Sequence, residues 1–155
     1  MVPDIEGPTH RYMLGSPGCW AVYASILAQI PGTVTGPHGA LIVDAYAVQH
    51  PGLPTRQATQ SIWVHLLTLQ LALEDGWPTE RLVAIRRLGA DASAAWPWLL
   101  PPASTAAVTA TDVVRAGREE LGHVVRMWVD GAWLAWSDAH PEVRRRGAEL
   151  IRRLG

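Results

Sequence analysis

Apolar residues along this chain recur three and four positions apart, and the runs between breakers outlast an ordinary strand. Ser16-Pro17-Gly18 sets a cap residue and a helix-starting proline before CWAVYASILAQI, which predicts a first helix over about 16–30. GALIVDAYAVQ runs to His50-Pro51, where proline forbids continuation, so a second helix is expected over about 39–49. RQATQSIWVHLLTLQLALEDG predicts a third over about 55–75, closed by Gly76 with Pro78 beyond it. Thr79 to Leu88 fits a short amphipathic helix with Arg81, Arg86 and Arg87 on its wet side. Residues 90–109, rich in Ala, Pro, Ser and Thr around WPWLLPP, read as a long loop of the sort that serves as a lid. Asp112 to about Ala139 predicts another long helix, and Pro141 opens a basic terminal helix over 141–154. Residues 1–15, with their prolines and glycines, read as an irregular arm. No stretch alternates as a strand does, so the expected class is all-α. The expectation is a single domain over 1–155, a bundle of about four main helices with short helices and a long Pro/Trp loop.

Composition narrows the partners. With 155 residues, 48% apolar and 17% charged, the chain can bury a real core and does not read as a disordered tail or coiled coil. A net charge of −1 offers no field for nucleic acid or an anionic membrane. The longest apolar run is too short to span a bilayer, and MVPDIEGPTH lacks the basic-then-apolar order of a signal peptide, so a cytoplasmic location is expected. A single cysteine makes neither an internal disulfide nor a Cys-rich zinc site, which leaves His and carboxylate to hold any metal. Lysine and asparagine are both absent, as in GC-rich bacterial genomes, and a tailoring role in secondary metabolism fits that background.

Asp44 carries the strongest chemical signal. Ala40 and Leu41 lie one turn before it and Ala47 and Val48 one turn after, which puts a carboxylate on an apolar face. Such a group needs a hydrogen-bonding partner, a cation or a proton. His65 lies between two apolar stripes of the third helix, Ile62, Leu66, Leu69 and Leu73 on one side and Val64, Leu67 and Leu71 on the other, and is the natural partner. Together they suit a general acid and base, or two ligands of a divalent metal. Each also has a plain reading: a carboxylate accepting bonds from a neighbouring helix, and a satisfied core imidazole. Gln70 and Glu74 fall on the opposite side of that helix.

His38 and His50 lie six residues either side of Asp44 and reach it only where the chain bends back. His50 and His140 each precede a proline and should close a helix, either as dipole-favoured caps or as ligands delivered to one bundle end beside Gln49, Trp133 and Trp136. His123, among Glu119, Glu120, Arg126 and Asp130, belongs to a solvated face. Cys19 stands near the start of the first helix, a position for a nucleophile but also for a small core residue. Trp128 and Trp136 share an apolar face, whereas Trp96 and Trp98 in the proline loop either cap a pocket or anchor the loop. The RRRGAELIRR run reads as a solvated face, with a partner or phosphate contact as its alternative.

SPGCW at 16–20, VDAYAVQHP at 43–51, VHL at 64–66, LALEDG at 71–76 and WLAWSDAH at 133–140 together resemble an uncharacterised bacterial family, a domain of unknown function, over about residues 12–141. The resemblance implies that Asp44, Tyr46, Gln49, His50 and His65 match the family's signature positions, with His38 in its usual place. Many relatives share an N-terminal Cys-x-x-Cys-Gly element that is missing here, so a zinc-ribbon role for this N-terminus does not carry over. By fold analogy alone, histidines on a small four-helix bundle resemble the three-histidine site of DinB-like metalloproteins.

Three functions follow. The first is a small helical enzyme acting on a small organic molecule, with Asp44, His65 and His50 catalytic and Tyr46, Gln49, Trp96, Trp98 and Trp136 binding substrate. One divalent ion, zinc, iron, nickel or manganese, is held by a subset of His38, Asp44, His50, His65 and His140, or no cofactor is used. Hydrolase, lyase, isomerase and cyclase chemistry all suit this set. The second is a non-catalytic small-molecule binding module. The third is a homodimeric interaction protein that uses an exposed Trp63 and the terminal helix, its Asp and His residues structural.

Overall fold

The computed structural model describes residues 2–29, 34, 36–91, 95–104 and 106–153. Expected features at residues 30–33, 92–94, 105 and 154 lie outside the described residues. The chain is all-α. Its elements are α1 (Pro17–Gln29), α2 (Pro37–Ala40), α3 (Ile42–Gln49), α4 (Arg56–Leu73), α5 (Thr79–Gly89), α6 (Ala110–Arg115), α7 (Leu121–Ala135) and α8 (His140–Ile151), with a 3₁₀ turn at Ser137–Ala139. Among the described residues, the one β-type pairing is an isolated antiparallel bridge between Met13 and Pro51.

Local sequence accounts for most boundaries. Ser16 Oγ accepts the Cys19 N–H at 3.1 Å at the start of α1, and Thr55 Oγ1 accepts the Ala58 N–H at 3.2 Å at the start of α4. Gly76, at φ 65°, supplies the left-handed turn after α4. Three expectations are corrected. The second helix begins earlier, at Pro37, and is interrupted at Leu41, where φ −103° and ψ 4° leave the helical range. The long helix from Asp112 to Ala139 is broken: Ala116 is extended and Gly117 to Glu120 are exposed, so no burial offsets the roughly 1 kcal/mol helix cost of the glycine. Pro141 lies in the first turn of α8, where its missing N–H has no helical partner to lose, so His140 opens a helix and does not end one.

The central helix α4 packs against α3, α5, α7 and α8, while α3 also meets α7 and α1 meets α6. Trp63, Trp128, Trp136, Leu66, Leu67, Leu69 and Leu71 fill the middle at 0–2% exposure. Trp63 is therefore core, and its Nε1 donates to the Pro97 carbonyl at 2.7 Å, which removes it as a docking residue. The N-terminal arm crosses the start of α1 and the α3–α4 connection. A Cβ on Gly18 would meet the Pro3 carbonyl oxygen, and one on Gly52 would meet that of Tyr12. No described helix is long and apolar enough to cross a membrane.

Candidate acid–base site

Asp44 is 0% exposed on α3, and both carboxylate oxygens are engaged. His65 Nδ1 lies 2.8 Å from Oδ1 and the Arg86 guanidinium donates to Oδ2 at 2.6 Å. The pairing of Asp44 with His65 follows from α3 packing against α4, each presenting its polar residue to the seam. Arg86 was expected on the wet side of α5. Because α5 lies against α4, its long side chain reaches inward to the charge that most needs a cation, and its Nε is buried without a hydrogen bond. A buried acid requires a counter-charge, and that requirement was the available signal for Arg86.

A carboxylate can only accept, so the short contact places a proton on His65 Nδ1 and leaves Nε2 with a free lone pair in the neutral ring. No hydrogen bond engages Nε2 among the described residues. The imidazole borders a cavity of about 390 Å³ lined by the arm residues His10, Tyr12 and Met13 and by Gln57, Gln60 and Ser61 of α4. His10, which sequence reasoning missed because the arm has no period to read, contributes a second imidazole. The Tyr12 N–H donates to His10 Nδ1 at 3.3 Å, so the neutral ring carries its proton on Nε2. Burial first, and then the charge of His65, lower the His10 pKa. The cavity thus holds one imidazole with an open lone pair and one with an open N–H.

Tyr23 and Tyr46 continue the polar region on the α1 side. Burial and then the Asp44 charge push the Tyr23 phenol up to about 12, and its ring stacks on Tyr46 at 4.1 Å. Tyr46 stacks in turn on His50, also at 4.1 Å. His50 does not join Asp44. Its Nδ1 lies 2.8 Å from the Tyr46 carbonyl and its Nε2 3.1 Å from Cys19 Sγ. Burial lowers the His50 pKa, opposed by the bond to the Tyr46 carbonyl.

The other expected site residues serve elsewhere. His38 Nε2 pairs with Asp130 at 3.1 Å near the surface, and the buried His140 stacks on Trp133 at 3.7 Å with Nε2 at 3.0 Å from the Trp133 carbonyl. Of His38, Asp44, His50, His65 and His140, Asp44 and His65 meet while the other three have partners elsewhere, and no group of three or more His, Cys, Asp or Glu side chains among the described residues could hold a metal ion. Gln49 clamps the bundle, donating to the Val108 carbonyl at 2.8 Å and accepting from Trp128 Nε1 at 2.6 Å. Trp136 is core, donating to the Val48 carbonyl at 3.0 Å. Trp96 stacks on Trp63 at 5.0 Å and donates to the Gly89 carbonyl, and it also lines a cavity of about 350 Å³ with Arg146 and Glu149, while Trp98 packs partly buried on the core. His123 is exposed, as its neighbours suggested.

The chain belongs to a family of unknown function, DUF5946, whose model matches residues 4–137. No curated protein and no solved structure matches it.

Proposed function

We propose that this protein is a small-molecule enzyme in which His65, oriented by Asp44, moves a proton on a compound held in the cavity beneath the N-terminal arm. The observation that carries this reading is the fully buried Asp44 holding His65 by Nδ1 while the ring borders a cavity. Asp44 selects the tautomer, Arg86 balances its charge, and His65 Nε2 is left to accept a proton. His10 Nε2–H is placed to donate to an oxygen that gains charge in the same cavity. Such a base and donor pair serves elimination, isomerisation or cyclisation, where a proton leaves carbon or oxygen as negative charge builds on a neighbouring oxygen. With Arg86 already on the second carboxylate oxygen, this reading uses no metal.

The test is a thermal-shift screen of small carbonyl and carboxylate compounds, followed by NMR detection of deuterium uptake from solvent into the compounds that bind. The expected outcome is uptake that falls about a hundredfold in His65→Gln with binding retained. Compounds that bind the wild type with neither turnover nor uptake would favour the binding module instead. Elemental analysis of protein purified without a metal-affinity tag checks the metal-free form, and a stoichiometric ion lost in His65→Ala would overturn it.

A further inference from the structure

Cys19 is not an isolated thiol. It is the third residue of α1, whose first turn points its backbone N–H groups toward the sulfur's end of the helix. Its Sγ lies 3.1 Å from His50 Nε2. The His50 ring is fixed twice, by the bond from Nδ1–H to the Tyr46 carbonyl at 2.8 Å and by stacking on the Tyr46 ring. That first bond places the ring proton on Nδ1, so Nε2 is the acceptor and the thiol the donor. This is the relation of a nucleophile to its general base, with the base oriented by a third group.

A second, independent feature points to a ligand. Tyr46 is 1% exposed, and its hydroxyl makes no hydrogen bond of good geometry, although the sulfur is close enough to help burial raise the phenol pKa. A buried hydroxyl whose one polar neighbour is a poorly placed sulfur is undersatisfied, and here that sulfur is the nucleophile itself. Gly15 passes directly over it: a Cβ there would lie 2.9 Å from Tyr46 Oη and 3.6 Å from His50 Cδ2. Gly15 and Ser16 also line a cavity of about 570 Å³ between the arm and the Gly52–Ala58 segment, so Gly15 is the wall between that cavity and the Tyr46 and His50 rings.

We propose that Cys19 and His50 form a second reactive site that takes an acyl group from a small activated ester or thioester, with the Tyr46 hydroxyl donating to the oxyanion. The Cys19 proton passes to His50 Nε2 as sulfur bonds to the carbonyl carbon, and the carbonyl electron pair moves onto oxygen against the Tyr46 O–H. When that pair returns, the bond to the leaving oxygen or sulfur breaks, and the leaving group takes the proton from His50. Water then attacks the Cys19 thioester, giving its proton to His50; as the tetrahedral intermediate collapses the carbon–sulfur bond breaks, the carboxylic acid departs, and His50 returns the proton to Cys19 sulfur.

Two probes on the full chain test this. p-Nitrophenyl acetate should release a burst of nitrophenolate and leave acetyl on Cys19, seen by mass spectrometry and absent in Cys19→Ser. Iodoacetamide alkylates sulfur without forming an oxyanion. His50→Gln should slow acetylation about a hundredfold. Tyr46→Phe should slow acetylation about a hundredfold but alkylation no more than about threefold, a split that a purely structural tyrosine would not produce. Wild-type Cys19 should also react faster in the native protein than in urea, a comparison that does not depend on any variant folding. A native thiol slower than the unfolded one, or equal loss of both reactions in Tyr46→Phe, overturns the proposal.

Discussion

Asp44 shows how much a single buried charge can dictate. Its position among Ala40, Leu41, Ala47 and Val48 demanded a partner, and His65 supplied one because its own helical position faced the same seam. That pair was legible from spacing alone. Arg86 was not, since its position on α5 follows amphipathic logic and its inward reach depends on how α5 settles on α4. Removing one partner of such a cluster leaves an uncompensated buried charge, so Arg86→Met should cost about 3–5 kcal/mol in urea unfolding. Asp44→Asn should lose a comparable amount, and the double variant less than the sum, because neither single loss then strands a charge. Glu74, read as facing away from the site, accepts from Arg144 Nε and Nη2 at 2.8 Å and from Trp133 Nε1 at 3.2 Å. The Arg144 bond holds its carboxyl below the ordinary value. Stability from this pair is therefore present above the ordinary carboxylate range and fades as pH falls through the depressed folded value. Glu74→Gln should lower stability in the neutral region by a small amount, because the pair is partly exposed, and flatten the acid side of the profile below about pH 4.3.

At the scale of elements, periodicity identified α1, α3, α4 and α5, because each has an apolar face and recognisable ends. The α6–α7 break escaped because apolar residues on both sides of Gly117 fit one helical period; what ends α6 is an exposed stretch with nothing to bury. The arm escaped for the opposite reason, since it has no period at all and is held from outside. The Leu14 N–H donates to the His50 carbonyl at 3.2 Å, and the arm's close approach to Gly52 admits no side chain there. Since a Cβ on Gly52 would collide with the Tyr12 carbonyl oxygen and lie 2.8 Å from the Ala58 methyl, Gly52→Ala must lift the arm or shift α4. The expected outcome is a loss of about 1–3 kcal/mol together with faster tryptic cleavage after Arg11. Unchanged cleavage with unchanged stability would mean that the arm does not pack here.

For the whole molecule, one short helix serves two chemistries: α3 presents Asp44 toward α4 and α5, and Tyr46 and the following His50 toward α1. The first relation could be read from a helical wheel. The second joins residues 31 positions apart through an irregular arm and a helix end, which no period encodes. Between them lie Tyr23 and Tyr46, both buried, with the Asp44 charge acting on Tyr23 and the Cys19 sulfur on Tyr46. A raised phenol pKa means that the folded chain keeps a proton which the unfolded chain gives up from about pH 10. The stabilising contribution is thus complete below that value and is lost as pH rises through the folded value, about 12 for Tyr23. Global stability should therefore fall between about pH 10 and 12, and Tyr23→Phe should make that fall shallower. Asp44→Asn should bring the Tyr23 transition down toward, but not to, the ordinary value, because burial outweighs the carboxylate as its cause. Ultraviolet difference titration alongside urea melts at each pH reads both quantities, and a Tyr23 that titrates normally in the folded chain would place its hydroxyl in water and away from Asp44.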